Sequence, residues 1–135
     1  MKECLIDTDI LSYYLKNNQQ VIQHVTTYLE IIGKLNISIV TYHEVLSGLK
    51  FRDAYKRLQA FNVLVASNNI IPLTKEAVDI SSMLYASLRQ AGTPIDDMDL
   101  LIAGTAREHN WALATHNQRH FGKIEGLELQ DWTQP

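Results

Sequence analysis

Short apolar runs rich in β-formers recur along this chain, and between nearly every pair of them lies a segment whose apolar residues repeat at helical spacing. The runs are ECLID (3–7), NISIV (36–40), NIIPL (69–73), WALATH (111–116) and the weaker LELQDW (127–132). Helices are predicted over 8–16, with Thr8 as N-cap, and over 20–33, where Gly33 stands as the stop. A helical pair is predicted over 41–50, opened by Thr41, and 53–67; two more helices follow over 74–92, between Thr74 and Gly92, and over 96–110. Strands that alternate with helices at this spacing form an α/β sandwich around a mainly parallel sheet. Such sheets collect ligands at the carboxyl ends of their strands.

A chain of 135 residues supports one real core, so a single domain over 1–135 is expected. No apolar run approaches the ~20 residues of a membrane span, and MKECLIDTDIL lacks the apolar stretch and cleavage site of a signal peptide. The lone Cys4 cannot form an internal disulfide and sits in an apolar run, as a small buried thiol does. Together these features predict a cytoplasmic protein. The net charge of −3 excludes the broad basic footprint of a general nucleic-acid binder. It leaves room for an enzyme that meets phosphates locally, through a metal ion and a few placed cations.

The acids are where chemistry enters. In GTPIDDMDLLIAG (92–104), Asp96, Asp97 and Asp99 stand immediately ahead of a run apolar enough to be buried. Asp7 ends the first strand, Glu44 falls in the first turn of the helix after the second, and Asp99 in the first turn of the helix at 96. All three belong to the same end of the sheet, and WALATHN brings Thr115 and Asn117 to that rim. Carboxylates crowded together raise one another's pKa until one protonates or a cation enters. A hard divalent ion with oxygen ligands, Mg²⁺ or Mn²⁺, suits the set and leads to phosphodiester hydrolysis. Each acid also has a plainer role: TYHE (41–44) fits a capping box, the three Asp complement a helix N-terminus, and Asp7 suits a turn or a cap. Convergence, rather than any one residue, favours the functional reading.

CLIDTDILSYYL, ISIVTYHEVLSGL, GTPIDDMDLLIAGTARE and LATHNQRHFGKIEGLELQDW, taken in order and spacing, resemble PIN-domain ribonucleases, most of all the VapC-type toxins of bacterial toxin–antitoxin pairs. The resemblance spans nearly the whole chain. It implies a PIN-like three-layer sandwich and a Mg²⁺-dependent endoribonuclease that cuts RNA with metal-activated water. Asp7, Glu44 and Asp99 match the family's three acids; the resemblance makes Asp7 and Asp99 the metal ligands and gives Glu44 the attacking water. Asn117 stands where many relatives carry a fourth acid, so it offers a carbonyl oxygen without a charge. The resemblance further implies a cognate antitoxin whose tail sets an arginine or lysine among the acids, and a homodimer paired through the early helices, with Tyr13, Tyr14, Leu46, Leu49 and Phe51 as candidate surface.

Other features lead elsewhere. His116 and His120 lack the cysteines of a structural zinc site, and His43 reads as a surface or core-edge residue. Among the cations Lys50, Arg52, Lys56, Arg57, Arg89, Arg107, Arg119 and Lys123, only Arg119 is placed near the expected cleft, and the rest read as solvated helix faces. Two rival readings stand beside the nuclease. CLIDTDIL also fits the Asp-x-Asp of haloacid-dehalogenase-type phosphatases, with Asp7 as nucleophile, although Leu11 replaces the usual Thr or Val. A non-catalytic interaction protein on the same scaffold is the other, and retention of all three acids argues against it.

Overall fold

The computed structural model describes residues 1–135. Its strands are β1 (Cys4–Ile6), β2 (Asn36–Ser38), β3 (Asn69–Ile71), β4 (Ala112–Ala114) and β5 (Leu129–Gln130), joined in one sheet in the order β3-β2-β1-β4-β5. Every pairing is parallel. The helices are α1 (Thr8–Leu15), α2 (Gln19–Ile31), α3 (Ile39–Phe51), α4 (Tyr55–Ala66), α5 (Lys75–Gln90), α6 (Asp97–Glu108) and the short α7 (Gln118–Phe121).

Side chains alternate across the sheet, and this divides the core in two. Cys4, Ile6, Ile37, Ala112 and Ala114 face one way, into a cluster completed by residues of α1 to α4. Leu5 and Leu113 face the other way, against residues of α5, α6 and α7. The result is three layers, helix, sheet and helix. β1, β2 and β4 are buried along their whole length, as strands covered on both faces must be. Burial pushes the Cys4 thiol up to about 12, with the nearby Glu128 charge adding to the effect.

α5 and α6 approach at backbone contact. A Cβ on Gly104 would lie 2.4 Å from the Ala77 carbonyl oxygen and 3.3 Å from Ser81 Cβ, so only glycine permits this spacing. The contact fixes how α6 lies, and with it where its first turn points. Gly33 and Gly92 follow their helices at φ +105° and +75°, as C-terminal stops do.

Several boundaries differ from the sequence-based expectation. The second strand ends at Ser38, whose Oγ accepts the Thr41 N–H at 3.0 Å, so α3 begins at Ile39 and Ser38 is its cap. Thr41 is therefore a fully buried helical residue, and the expected Thr41–Glu44 capping box does not form. Glu44 moves into the second turn of α3. Asp7, not Thr8, occupies the N-cap of α1. Leu49 is core, 4% exposed, while Phe51, 88% exposed, does lie on the surface. Between the strands expected at 111–116 and 127–132, where the sequence reading gives no element, lies α7.

Candidate active site

From β1 the chain moves outward through β2 to β3 and then crosses back to β4 on the other side of β1, so a crevice opens beyond the carboxyl end of β1. Asp7 occupies that position. Its backbone N–H still bonds Ala114 O at 2.9 Å, which extends the β1–β4 ladder by one residue before the chain turns into α1. The side chain is 5% exposed and accepts two bonds, from the Thr8 N–H at 2.8 Å and from Thr115 Oγ1 at 2.7 Å. Thr115 is itself fixed, because its N–H bonds Gln130 O on β5 and its Oγ1 accepts the Asn117 N–H at 2.9 Å. Burial and the charge of Asp9 outweigh these bonds and push the Asp7 carboxyl up to about 7.

Glu44 reaches the same crevice from α3, where Thr8 Oγ1 donates to its Oε1 at 2.6 Å. Thr8 Oγ1 also lies 3.2 Å from Thr41 Oγ1, so the start of α1 is tied to α3 through one hydroxyl pair. Asp99 enters from the first turn of α6, which Asp96 caps by accepting the Met98 N–H at 3.2 Å. Burial raises the Asp99 carboxyl above its ordinary value, the charges of Asp96 and Glu44 add to this, and His120 opposes it. Asn117 caps α7 and stands 3.0 Å from His120 Nδ1 through its Nδ2. His120 Nδ1 in turn lies 3.6 Å from Asp99.

All four residues singled out in the sequence, Asp7, Glu44, Asp99 and Asn117, line one open cleft of about 420 Å³. Tyr13, Lys16 and Asp9 line it as well, and the sequence reading places none of them there. Thr8, Ser12 and Lys16 follow one another at four-residue steps along one helix face, a pattern visible in the sequence. His120 had no such signal, because it reaches Asp99 only through the unforeseen α7. Arg119, expected near the cleft, is exposed on α7 and does not line it.

Asp9 faces both ways. Its Oδ2 accepts the His116 N–H at 3.1 Å, whereas Oδ1 is buried without a partner. Its carboxyl is raised by burial, against the bond from His116. Beside it His116 Nδ1 bonds Asp131 Oδ2 at 2.9 Å, and Thr133 donates to Asp131 Oδ1 at 2.7 Å.

The donor set is all oxygen and short of positive charge, which suits a hard divalent cation. No three acidic, histidine or cysteine side chains stand close enough to cage an ion by themselves. Mg²⁺ does not require such a cage, because it commonly takes one or two carboxylates and completes its octahedron with water and phosphate oxygens. The cleft therefore fits Mg²⁺ better than an ion that needs many protein ligands.

Fold and cleft define a compact α/β protein with an acidic site at the switch point of a parallel sheet. The chain belongs to the PIN-domain family, whose model matches residues 4–127. It is 33% identical to Ribonuclease VapC1 of Methanocaldococcus jannaschii, over 94% of this chain and 86% of that protein. Ribonuclease VapC1 of Haemophilus influenzae (strain R2866) is 30% identical, over 96% and 97%. The solved structure of VapBC-1 from nontypeable Haemophilus influenzae superposes with a TM-score of 0.83 at 29% identity, over 96% of this chain and 97% of that one.

Proposed function

We propose that this protein is a Mg²⁺-dependent endoribonuclease, the toxin of a toxin–antitoxin pair, with Mn²⁺ able to replace Mg²⁺. The observation that carries the reading is the convergence of Asp7, Glu44 and Asp99 from three separate elements on one cleft, in a chain whose relatives are ribonucleases. Asp7 and Asp99 hold the ion. Bound there, it supplies the positive charge that activates water and stabilises charge on the phosphoryl oxygen. Thr115 holds the Asp7 carboxylate in place, and Thr8 does the same for Glu44, which orients or deprotonates the attacking water. Asn117 steadies the rim beside Asp99 through His120 and adds no charge.

Attack by water rather than by the ribose 2′-OH leaves a 5′-phosphate and a 3′-hydroxyl. Mapping RNA 5′ ends after brief induction tests this directly: cleavage that survives EDTA, products with 2′,3′-cyclic phosphate, or full activity of Asp99→Asn would each overturn the reading.

A partner belongs to the same proposal, because a free ribonuclease harms its own cell and the Haemophilus relative was solved as VapBC-1. An arginine or lysine from an antitoxin tail would satisfy the same carboxylates by charge-assisted bonds, so antitoxin and Mg²⁺ compete. Phe51 and Tyr55, 88% and 69% exposed at the α3–α4 turn, offer apolar surface for a homodimer or for that tail. A monomeric mass by light scattering at micromolar concentration would remove the homodimer.

A further inference from the structure

We infer that a cationic groove beside the carboxylate cleft is a binding subsite for the RNA backbone, built to hold a phosphodiester next to the one that is cut. The inference rests on the ribonuclease reading and adds the path of the strand across the protein.

Two helices form the groove with matched steps. On α1 and its C-cap, Thr8, Ser12 and Lys16 recur every four residues; on α3 and its C-cap, Glu44, Gly48 and Arg52 do the same. Residues four apart share one helix face, about 6 Å apart along the axis, so each series makes a wall running away from the cleft. Thr8 and Glu44 are joined at the acidic end by their 2.6 Å hydrogen bond. Lys16 and Arg52 stand at the other end, and both walls line a single hollow of about 330 Å³ that shares Thr8, Ser12, Lys16 and Glu44 with the carboxylate cleft. Charge therefore reverses over two helical turns.

Two details set the arginines apart from ordinary solvated ones. Gly48 leaves the space that the Arg52 guanidinium occupies: a Cβ there would lie 3.1 Å from Arg52 Nη2. Arg57 closes the hollow from the first turn of α4, where the positive end of the helix disfavours a cation and no side chain caps the helix. The helix dipole accounts for Lys16 and Arg52 at C-termini but not for Arg57. None of the three takes part in a salt bridge, as holds for most cations of this chain, so all can meet an anion.

The ligand chemistry follows. A phosphodiester carries one negative charge and two free oxygens, which the planar fork of arginine meets in pairs and the lysine ammonium meets as a point charge. The net charge of −3 offers an RNA strand no general attraction, so a local track of this kind is how the strand is drawn towards an acidic centre.

The test measures binding and cutting separately. In the Asp99→Asn background, a fluorescein-labelled single-stranded RNA ten nucleotides long and of mixed sequence is titrated at several salt concentrations, with anisotropy as the readout. Arg52→Gln/Arg57→Gln is expected to weaken binding by about tenfold or more at low salt and to flatten the dependence of log K on log salt by about 0.7 for each phosphate no longer neutralised. Arg89→Gln, at an exposed position on α5, leaves both unchanged. With Asp99 intact, the same double substitution raises KM while kcat is retained, since it removes ground-state and transition-state binding alike. If the intact protein cuts RNA and the double variant binds and cuts as well as it does, the subsite is wrong and the nuclease reading stands. If the double variant keeps RNA but loses its copurifying protein partner, the cations serve an acidic tail and the inference is overturned. If no RNA is cut by the intact protein, both readings fall together.

Discussion

Replacing Asp7 with asparagine should make the metal-free protein more stable while destroying the site. The carboxyl is held in the folded protein up to about 7, whereas in the unfolded chain it ionises near 3.8. Between those values the native state keeps a proton that the unfolded state has lost, so stability falls as pH rises from about 4 through 7. At ~1.36 kcal/mol for each tenfold difference in proton affinity, the interval sets a ceiling of about 4 kcal/mol at pH 8. Asparagine keeps an oxygen for the Thr8 N–H and turns its amide towards Thr115, whose hydroxyl can rotate to accept. That exchange is imperfect, so the expected gain is ~1–3 kcal/mol at pH 8, or several degrees in Tm. Near pH 5 it should shrink to about a third. Thermal unfolding by circular dichroism in EDTA measures it, with Mg²⁺ as the second arm: the ion should raise Tm for the native protein and leave Asp7→Asn unmoved. A variant that is less stable than the native protein at pH 8 in EDTA, or a gain that does not vary with pH, would refute the account of Asp7 as a buried charge awaiting a cation.

Gly104→Ala should cost ~1–3 kcal/mol in urea unfolding, because its methyl group meets the Ala77 carbonyl rather than a side chain that can swing away. Thr115→Val removes the donor to Asp7 and the acceptor for the Asn117 N–H, so cleavage should fall at least tenfold while Thr115→Ser retains most of it; equal activities would contradict the positioning role. His116, hydrogen-bonded to Asp131, should titrate above 6.5 by NMR and return towards that value in Asp131→Asn. In the reverse direction, burial would raise the Asp131 carboxyl, but bonds from Thr133 and His116 hold it below the usual range.

The sheet was legible because its strands are buried on both faces and read as unbroken apolar runs, and because Gly33 and Gly92 mark helix ends that only a positive φ can close. The acids could be located for a related reason: Asp7 directly follows a buried strand, and Asp99 stands three residues after a capping Asp96. What was hidden depends on competition between neighbours. Ser38 and Thr41 are both able caps, and nothing local says that Ser38 wins, since Thr41 is drawn inward by packing against α1. The four-residue α7 is too short for periodicity to reveal, so the approach of His120 to Asp99 was invisible. The cations at Arg52 and Arg57 read as solvent-facing because their meaning lies in a groove between helices that sequence spacing on one helix cannot display.

The hydrogen bond from Thr115 to Asp7 joins residues 108 positions apart. Synthesis proceeds at roughly 5–20 residues per second, so many seconds separate the appearance of these two side chains on the ribosome. Throughout that interval β1 has no β4 beside it, Asp99 arrives only shortly before, and Asp7 lacks both its ladder partner and its hydroxyl donor. A nascent chain therefore carries the first acid from the outset yet cannot assemble the cleft until almost the whole polypeptide has emerged. The order of elements acts as a delay, and an inhibitor translated in the meantime has time to be present when the cleft first forms.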